Sequence, residues 1–294
     1  MPVHNAARYL TDALESLLGQ DFKDFELIIS DNASTDSTPE VIRSYVDRDP
    51  RIKAYFQSEN IGPARNDNFV QSKAVAPLFK WAAHDDLYAP EYLRKCIDIL
   101  EQDKDVCLTY TKTWIIDEDG NVVSPYEDNF HLVSPLPHIR YDQYLRAMAL
   151  LNPFYGVIRS AVLSKVMPLA SYASADKVLL GELALHGKFY EVPERLFYRR
   201  IHSGKSTVVQ TTDEQWDQYY NPKHLERLPA PRFKRFTDHL RSIHHSPLTS
   251  REHIQCYRVL LAFYLTRERF PGLLKDLINF RLWLKQRGRD PGYR

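Results

Sequence analysis

Residues 2–38 read PVHNAARYLTDALESLLGQDFKDFELIISDNASTDST, and the order of elements in this stretch decides the fold. Near its centre, Leu27, Ile28 and Ile29 make a short unbroken apolar run within 26–30, the pattern of a strand buried on both faces of a parallel sheet. Upstream, Leu10, Ala13, Leu14, Leu17 and Leu18 recur at helical spacing, so 7–19 is expected to be an amphipathic helix ending near Gly19. Downstream, the polar run 31–38 leads into a helix to about residue 47, with Ser37 and Glu40 in capping-box spacing. Residues 1–3 break off at His4 and Asn5 like the end of a strand, as if the sequence began late.

The unit repeats outward. A strand at 52–56 precedes a helix at 63–74, a strand at 78–82 precedes a helix at 90–102, and a strand at 106–114 closes the series. Such alternation implies an α/β fold, a mostly parallel sheet flanked by helices, with its ligand beyond the carboxyl ends of the strands. Past Trp114 the pattern changes. A hairpin turn at 117–121 and a loop at 124–139 with three prolines precede a helix at 141–151 and a strand at 154–158. A helix at 176–186 stops at Gly187, and 188–200 reads as two short strands split at Pro193, giving a second, mixed layer. From 213 on the chain is expected to be helical with basic faces; the clearest helix, 272–286, carries Leu273, Leu274, Leu277, Phe280 and Leu284 as one apolar stripe.

With 294 residues, 44% apolar and 26% charged, the chain has ample material for a core, which excludes disorder as its default state. It shows no run of 18 or more uncharged apolar residues and no basic start followed by an apolar signal core, so neither export nor a membrane span is expected. Cys96, Cys107 and Cys256 lack CxxC spacing, which argues against zinc and disulfides and for a reduced, cytoplasmic compartment. The net charge of +1 hides an asymmetry: residues 221–294 hold 16 Lys and Arg against 6 Asp and Glu, an excess of ten on an otherwise acidic body. Nucleic acid, an anionic membrane surface and a solvated helical face all fit such a tail.

Three strand ends are unusually polar: Val3-His4-Asn5, Ser30-Asp31-Asn32 and His84-Asp85-Asp86. Asp31 and Asn32 suit a base or ribose, or else form, with Ser34 and Asp36, a turn and helix cap. Adjacent carboxylates at Asp85 and Asp86 repel unless a cation relieves them, and oxygen-rich pairs suit Mg²⁺ or Mn²⁺ on substrate phosphates; the plainer reading is that Asp85 caps the turn before Pro90. No GxGxxG and no glycine-rich basic phosphate loop follow the first strand.

The stretch 2–38, ENIGPARN at 59–66 and the Asp85-Asp86 pair closely resemble the family 2 glycosyltransferases, inverting enzymes of GT-A fold, over at least 1–115 and more weakly to about 207. The resemblance implies that Pro2, Val3, His4, Asn5 and Asp31 hold a nucleoside, with Asn60, Arg65 and His84 beside it. It implies further that Asp85, flanked by Asp86, binds a divalent metal on the diphosphate. The family's signature has another Asp two residues before the metal carboxylate; Ala83 stands there, which removes a contact to ribose. Residues 174–180 resemble the segment bearing the general base, which makes Asp176 the candidate, although an acid at a helix start is also favoured by the helix dipole. Residues 198–204 resemble the family's closing loop, with His202 as a further metal ligand and Arg199 or Arg200 on phosphate oxygens.

The implied organisation is a nucleotide-sugar-binding half at 1–115, an acceptor and catalytic half at 116–210, and a basic helical extension at 211–294. The implied reaction moves a sugar from a nucleotide-sugar, a UDP-sugar first among them, to a saccharide or lipid-linked acceptor in polysaccharide or cell-envelope glycan synthesis. The expected location is cytoplasmic, with the basic tail on the inner face of a membrane and no nucleic acid as partner. Two alternatives stand beside it: a nucleotidyltransferase, which would want the missing phosphate loop, and a catalytically impaired nucleotide-sugar-binding protein, suggested by Ala83.

Overall fold

The computed structural model describes residues 1–147, 150–205, 209–210, 212–222 and 230–287, without the side chains of 213, 214, 217 and 282–287. Strands β1 (Pro2–Val3), β2 (Leu27–Asp31) and β3 (Ile52–Phe56) form a parallel sheet in that order, with Val3 opposite Asp31 and Asp31 opposite Phe56. Every residue of β2 is buried, as its apolar run requires. Helix α1 (Ala7–Leu18) turns Leu10, Ala13, Leu14 and Leu17 onto the sheet, where they meet Ile29 and, from α2 (Thr38–Val46), Ile42 and Tyr45. Helix α3 (Pro63–Lys73) follows β3.

The capping box expected at Ser37 and Glu40 does not form. Ser37 makes no side-chain cap, and Glu40 pairs with Arg43 (3.7 Å). Asp36 does the work: its Oδ1 accepts from the Thr38 amide (3.0 Å) and its Oδ2 from the Ala7 amide (3.2 Å), while Thr38 Oγ1 accepts from the Ala6 amide (2.7 Å). One carboxylate therefore ties the starts of two helices, and a cap shared with a distant segment displaces the local one.

The second sheet runs β4 (Leu78–Phe79), β8 (Val157–Arg159), β6 (Val106–Ile116), β9 (Lys188–Arg200), β5 (Leu87–Tyr88), with β7 (Val122–Tyr126) also on β6. Only β6 and β9 are parallel here; the strand expected at 78–82 is two residues long and antiparallel to β8. Beyond Phe79 the chain leaves the ladder, and Lys80 turns its ammonium onto the carbonyls of Trp81 (3.2 Å) and Tyr155 and over the Tyr88 ring (3.9 Å). Strand β9 is continuous rather than split. Its register slips so that Val192 faces Thr111 and Arg195 faces Lys112, which expels Pro193 and Glu194 as a bulge, because proline has no amide hydrogen for a ladder.

Helix α4 (Tyr92–Gln102) covers the first core, and α5 (Pro137–Arg146), α6 (Ser160–Leu163) and α7 (Ala175–His186) follow. Helix α5 starts earlier than its spacing suggests because Pro137, whose missing amide hydrogen costs nothing in a first turn, opens it after an extended Leu136. Pro125 lies within β7, an edge strand, and a 3₁₀ turn at Asn152–Tyr155 takes the place of the start of the strand expected at 154–158.

The last helices are α8 (Asp213–Tyr220), α9 (Pro231–His245), α10 (Ser250–Tyr264) and α11 (Phe270–Arg287). Ile243, Cys256, Leu260 and Phe263 share one hydrophobic cluster with Leu179, Leu183, Tyr141 and Tyr144. Gly181 permits this approach: a Cβ there would come within 3.1 Å of both the His239 and Tyr144 rings, and His239 Nδ1 lies 2.9 Å from the Tyr141 hydroxyl. The stripe expected on α11 divides. Leu273 packs on the cluster and Phe280 meets Phe233 (5.7 Å), whereas Leu274 is 44% exposed and the Leu284 side chain lies outside the described residues.

Candidate active site

Beyond the carboxyl ends of β1 and β2 lies a cleft of about 780 Å³. Residues 2–6 form part of its lining, together with Asn32, Asn60, Asn66, Asp67, residues 81–85, Phe154, Tyr155, residues 202–205, Val209, Gln210, Gln218 and Tyr219. Strand geometry delivers these groups: each parallel strand ends at the same edge, and the loop after it must turn sharply. Asn5 (φ 49°) and Ala33 (φ 57°) accept left-handed backbone to do so, a cost held in place by cross-bonds. The Asn5 amide donates to Ser34 Oγ (2.8 Å), and Asn5 Oδ1 accepts from the Thr35 amide (2.8 Å).

At one end stands a chain of amides. Asn32 Oδ1 accepts from the Ile61 amide (2.8 Å), Asn32 Nδ2 donates to Asn60 Oδ1 (3.0 Å), and Asn60 Nδ2 lies 3.3 Å from His4 Nε2. Gly62 holds the turn into α3 at φ 84°, and a Cβ on it would sit 2.5 Å from the Tyr220 carbonyl, so only glycine lets 220 close over this corner.

At the other end sit the paired carboxylates, fixed between β4 and β5. Asp85 Oδ2 lies 3.0 Å from His202 Nε2 and 3.5 Å from Lys205 Nζ. Burial pushes the Asp85 carboxyl upward, but the His202 hydrogen bond and the charges of Lys205 and His84 outweigh it and hold the group well below the usual carboxylate range. Asp86 goes the other way: burial and the neighbouring Asp85 charge raise it, against Lys205 (3.5 Å) and the amide of Arg200 (2.9 Å). Arg200, 1% exposed, donates through Nε to the Asp85 carbonyl (2.9 Å) and through Nη1 to the Glu118 carbonyl (2.8 Å), and its guanidinium lies over the Tyr9 ring (4.7 Å). The His202 ring touches the same tyrosine (4.8 Å).

Of the residues singled out in the sequence, Pro2, Val3, His4, Asn5, Asn60, His84, Asp85 and His202 line the cleft together. Asp31, Arg65, Asp86, Asp176, Arg199 and Arg200 stand outside the lining. Both Asp31 oxygens are taken by Ser34, from Oγ (2.5 Å) and from the amide (3.3 Å), and Arg65 is exposed on α3. Arg199 donates to the Leu150 carbonyl (2.8 Å) and Asn152 Oδ1 (2.5 Å). Asp176 opens α7, where burial raises its carboxyl against the opposing charge of Lys177. Several lining residues escaped sequence reasoning, three of them with side chains that bear on the chemistry. Lys205 lies three residues past His202, Tyr9 hid inside the apolar face of α1, and Asp67 adjoins Asn66. Burial, and to a lesser degree the negative charge of Asp176, lift the Asp67 carboxyl to about 7 against the opposing charge of the amino terminus at Met1.

Among the described residues no group of three or more His, Cys, Asp and Glu side chains could hold a metal. A divalent ion would therefore need ligands from its substrate. The pair present suits that: bonds of about 2.0–2.1 Å to adjacent corners of an octahedron put the donors ~3.0 Å apart, and Asp85 Oδ2 and His202 Nε2 are 3.0 Å apart.

Comparison with known proteins bears on the family and the fold. An uncharacterized glycosyltransferase of Haemophilus influenzae is 34% identical over 123 residues, 42% of this chain and 49% of that protein. The chondroitin synthase of Escherichia coli is 24% identical over 258 residues, 85% of this chain and 34% of that protein, so the chain spans about half or less of these relatives. In fold it is similar to S. aureus TarS 1–349 solved with UDP-GlcNAc (TM-score 0.63, 17% identity, 94% of this chain and 78% of that one). It is also similar to the mannosyltransferase PcManGT of Pyrobaculum calidifontis solved with GDP-Man and Mn²⁺ (TM-score 0.56, 14% identity, 94% and 72%). The profile of Glycosyl transferase family 2 matches residues 1–163, more than half of the sequence, and the chain belongs to that family.

Proposed function

We propose that the chain transfers a sugar, with inversion, from a nucleotide-sugar, a UDP-sugar first among them, to a hydroxyl of a saccharide or lipid-linked acceptor in polysaccharide or envelope glycan synthesis. The observation that carries this reading is the pairing of Asp85 with His202 at one end of a cleft whose other end is floored by residues 2–6 and the Asn32–Asn60–His4 chain. That chain offers amide donors and acceptors to a base or ribose, and Asp31, buried beside it, keeps the floor in shape through Ser34. Asp85 and His202 would hold Mg²⁺ or Mn²⁺, which when bound would offset charge on the leaving diphosphate. Asp86 orients this corner through the Arg200 amide, and Arg200 locks the loop from behind.

The acceptor hydroxyl would attack the anomeric carbon on the face opposite the diphosphate, forming one carbon–oxygen bond as the carbon–phosphate oxygen bond breaks. Its proton would pass to Asp176, a carboxyl whose raised affinity for protons suits a general base. A thermal-shift panel of UDP, GDP and ADP with and without Mn²⁺ tests the donor site, since a ligand of the folded state raises its stability. No shift with any of them would overturn the reading, and a shift without donor hydrolysis or transfer would make the chain a binding protein.

Docking of the last helices on an anionic inner membrane face is a further part of the proposal. Among the described residues no helix is long and apolar enough to cross a membrane. Support comes from Ile254 and Leu261 on α10, Leu265 just past its end, and Phe270, Leu274 and Ile278 on α11, each at least 43% exposed, with Arg251, Arg258 and Arg269 exposed nearby in sequence.

A further inference from the structure

Lys205 stands against both carboxylates of the pair as well as against its own loop. Its Nζ lies 3.5 Å from Asp85 Oδ2 and 3.5 Å from Asp86 Oδ1, and it donates to the Arg200 carbonyl (2.5 Å). The corner is already closed without it, because the Arg200 amide binds Asp86 and the Arg200 guanidinium binds the Asp85 carbonyl. The lysine side chain lines the cleft and keeps 14% of its surface, against 9% and 1% for the two carboxylates, so it stands on the ligand side of them. One ammonium thus occupies the mouth of a carboxylate pair. A divalent ion on Asp85 Oδ2 and His202 Nε2 would be a close neighbour of that ammonium, and like charges at such range in a buried site oppose each other strongly. The conflict disappears when an anion arrives with the ion, since a flexible four-carbon stem lets the ammonium turn to phosphate oxygens.

We propose that Lys205 is a resident counter-cation that makes the site refuse a bare divalent ion and accept it only together with a nucleoside diphosphate. The proposal rests on Asp85 and His202 as the metal pair. It assigns Lys205 a selecting role: the ammonium neutralises the carboxylates of the ligand-free chain and moves to the diphosphate of the loaded one. Metal and nucleotide then bind with positive coupling, and the site is not left blocked by metal once the diphosphate departs.

Titration of free Mn²⁺ by electron paramagnetic resonance, with and without UDP, tests this on the full chain and on Lys205→Met, Lys205→Arg and Asp85→Asn, with melting temperature as the check on folding. The parent should bind bare Mn²⁺ weakly and tighten by ~10-fold or more with UDP, within the usual range of coupling between sites. Lys205→Met should bind bare Mn²⁺ ~10-fold more tightly than the parent and lose most of the tightening by UDP, while Lys205→Arg should resemble the parent. Bare Mn²⁺ bound no more tightly by Lys205→Met than by the parent, with tightening by UDP intact in both, would overturn the proposal and leave the metal pair standing. If Asp85→Asn binds Mn²⁺ and UDP as well as the parent, the metal pair itself is wrong and the proposal falls with it.

Discussion

Asp85 is more acidic than its burial alone would permit, and the surplus comes from neighbours that a ligand can rearrange. Asp85→Asn keeps the shape and removes the charge, so turnover should drop by ~10² or more while the melting temperature changes little; steady-state kinetics beside a thermal melt would check both. Asp176→Asn should abolish transfer and leave UDP affinity within about threefold, because a group acting on the acceptor has no share in donor binding. Calorimetric titration with UDP separates that outcome from a donor-site role. Asp67 makes a different statement, about stability. Its carboxyl binds a proton with a pKa of about 7 when folded against 3.8 for the free group. Between those values the folded chain keeps a proton that the unfolded chain has lost, so this residue makes stability fall as pH rises through that window. Asp67→Asn should remove the slope, and its melting temperature should gain on the parent's between pH 5 and pH 8.

At the scale of elements, what local pattern determines was legible and what distant pairing determines was not. The boundaries of α1, β2, β3 and α7 lie within a residue or two of their periodicity, since an apolar run or an i, i+4 stripe is complete within a dozen residues. The short antiparallel β4 depends on β8, about 80 residues away, and no spacing near Leu78 announces it. Asp36 took the cap expected of Ser37 because Ala7, from another segment, was there to share it. The site divides in the same way. Asp85 and His202 were readable as motif residues, but Lys205 acquires meaning only once the loop folds it against carboxylates some 120 positions earlier. Gly62 belongs to this scale too. Gly62→Ala forces a Cβ into the Tyr220 carbonyl and a side chain into positive φ, so it should cost about 1–3 kcal/mol, read by urea melts, and weaken UDP binding as the 218–222 corner lifts.

The whole molecule is a dipole of composition, an acidic body carrying a tail with ten excess positive charges. Of the five-residue apolar stripe foreseen on the last helix, Leu273 and Phe280 pack inward, while Leu274 faces out with Ile254, Leu261, Leu265, Phe270 and Ile278, so an exposed apolar surface exists where only helical period was visible before. Vesicles containing anionic lipid should sediment the protein at low salt and release it at 0.5 M salt or so, where the screening length is only a few ångströms. Neutral vesicles should not bind it, and Leu261→Asp with Leu265→Asp should abolish binding without affecting UDP affinity. The shared cap at Asp36 reaches further still. The amides of Asn5, Ala6, Ala7 and Thr35 all donate across the gap between two segments some 30 residues apart, so none can open without its fellows. In deuterated buffer these four amides, despite lying at the rim of a wet cleft, should exchange at a single common rate, and a nucleotide seated on that floor should slow the four together.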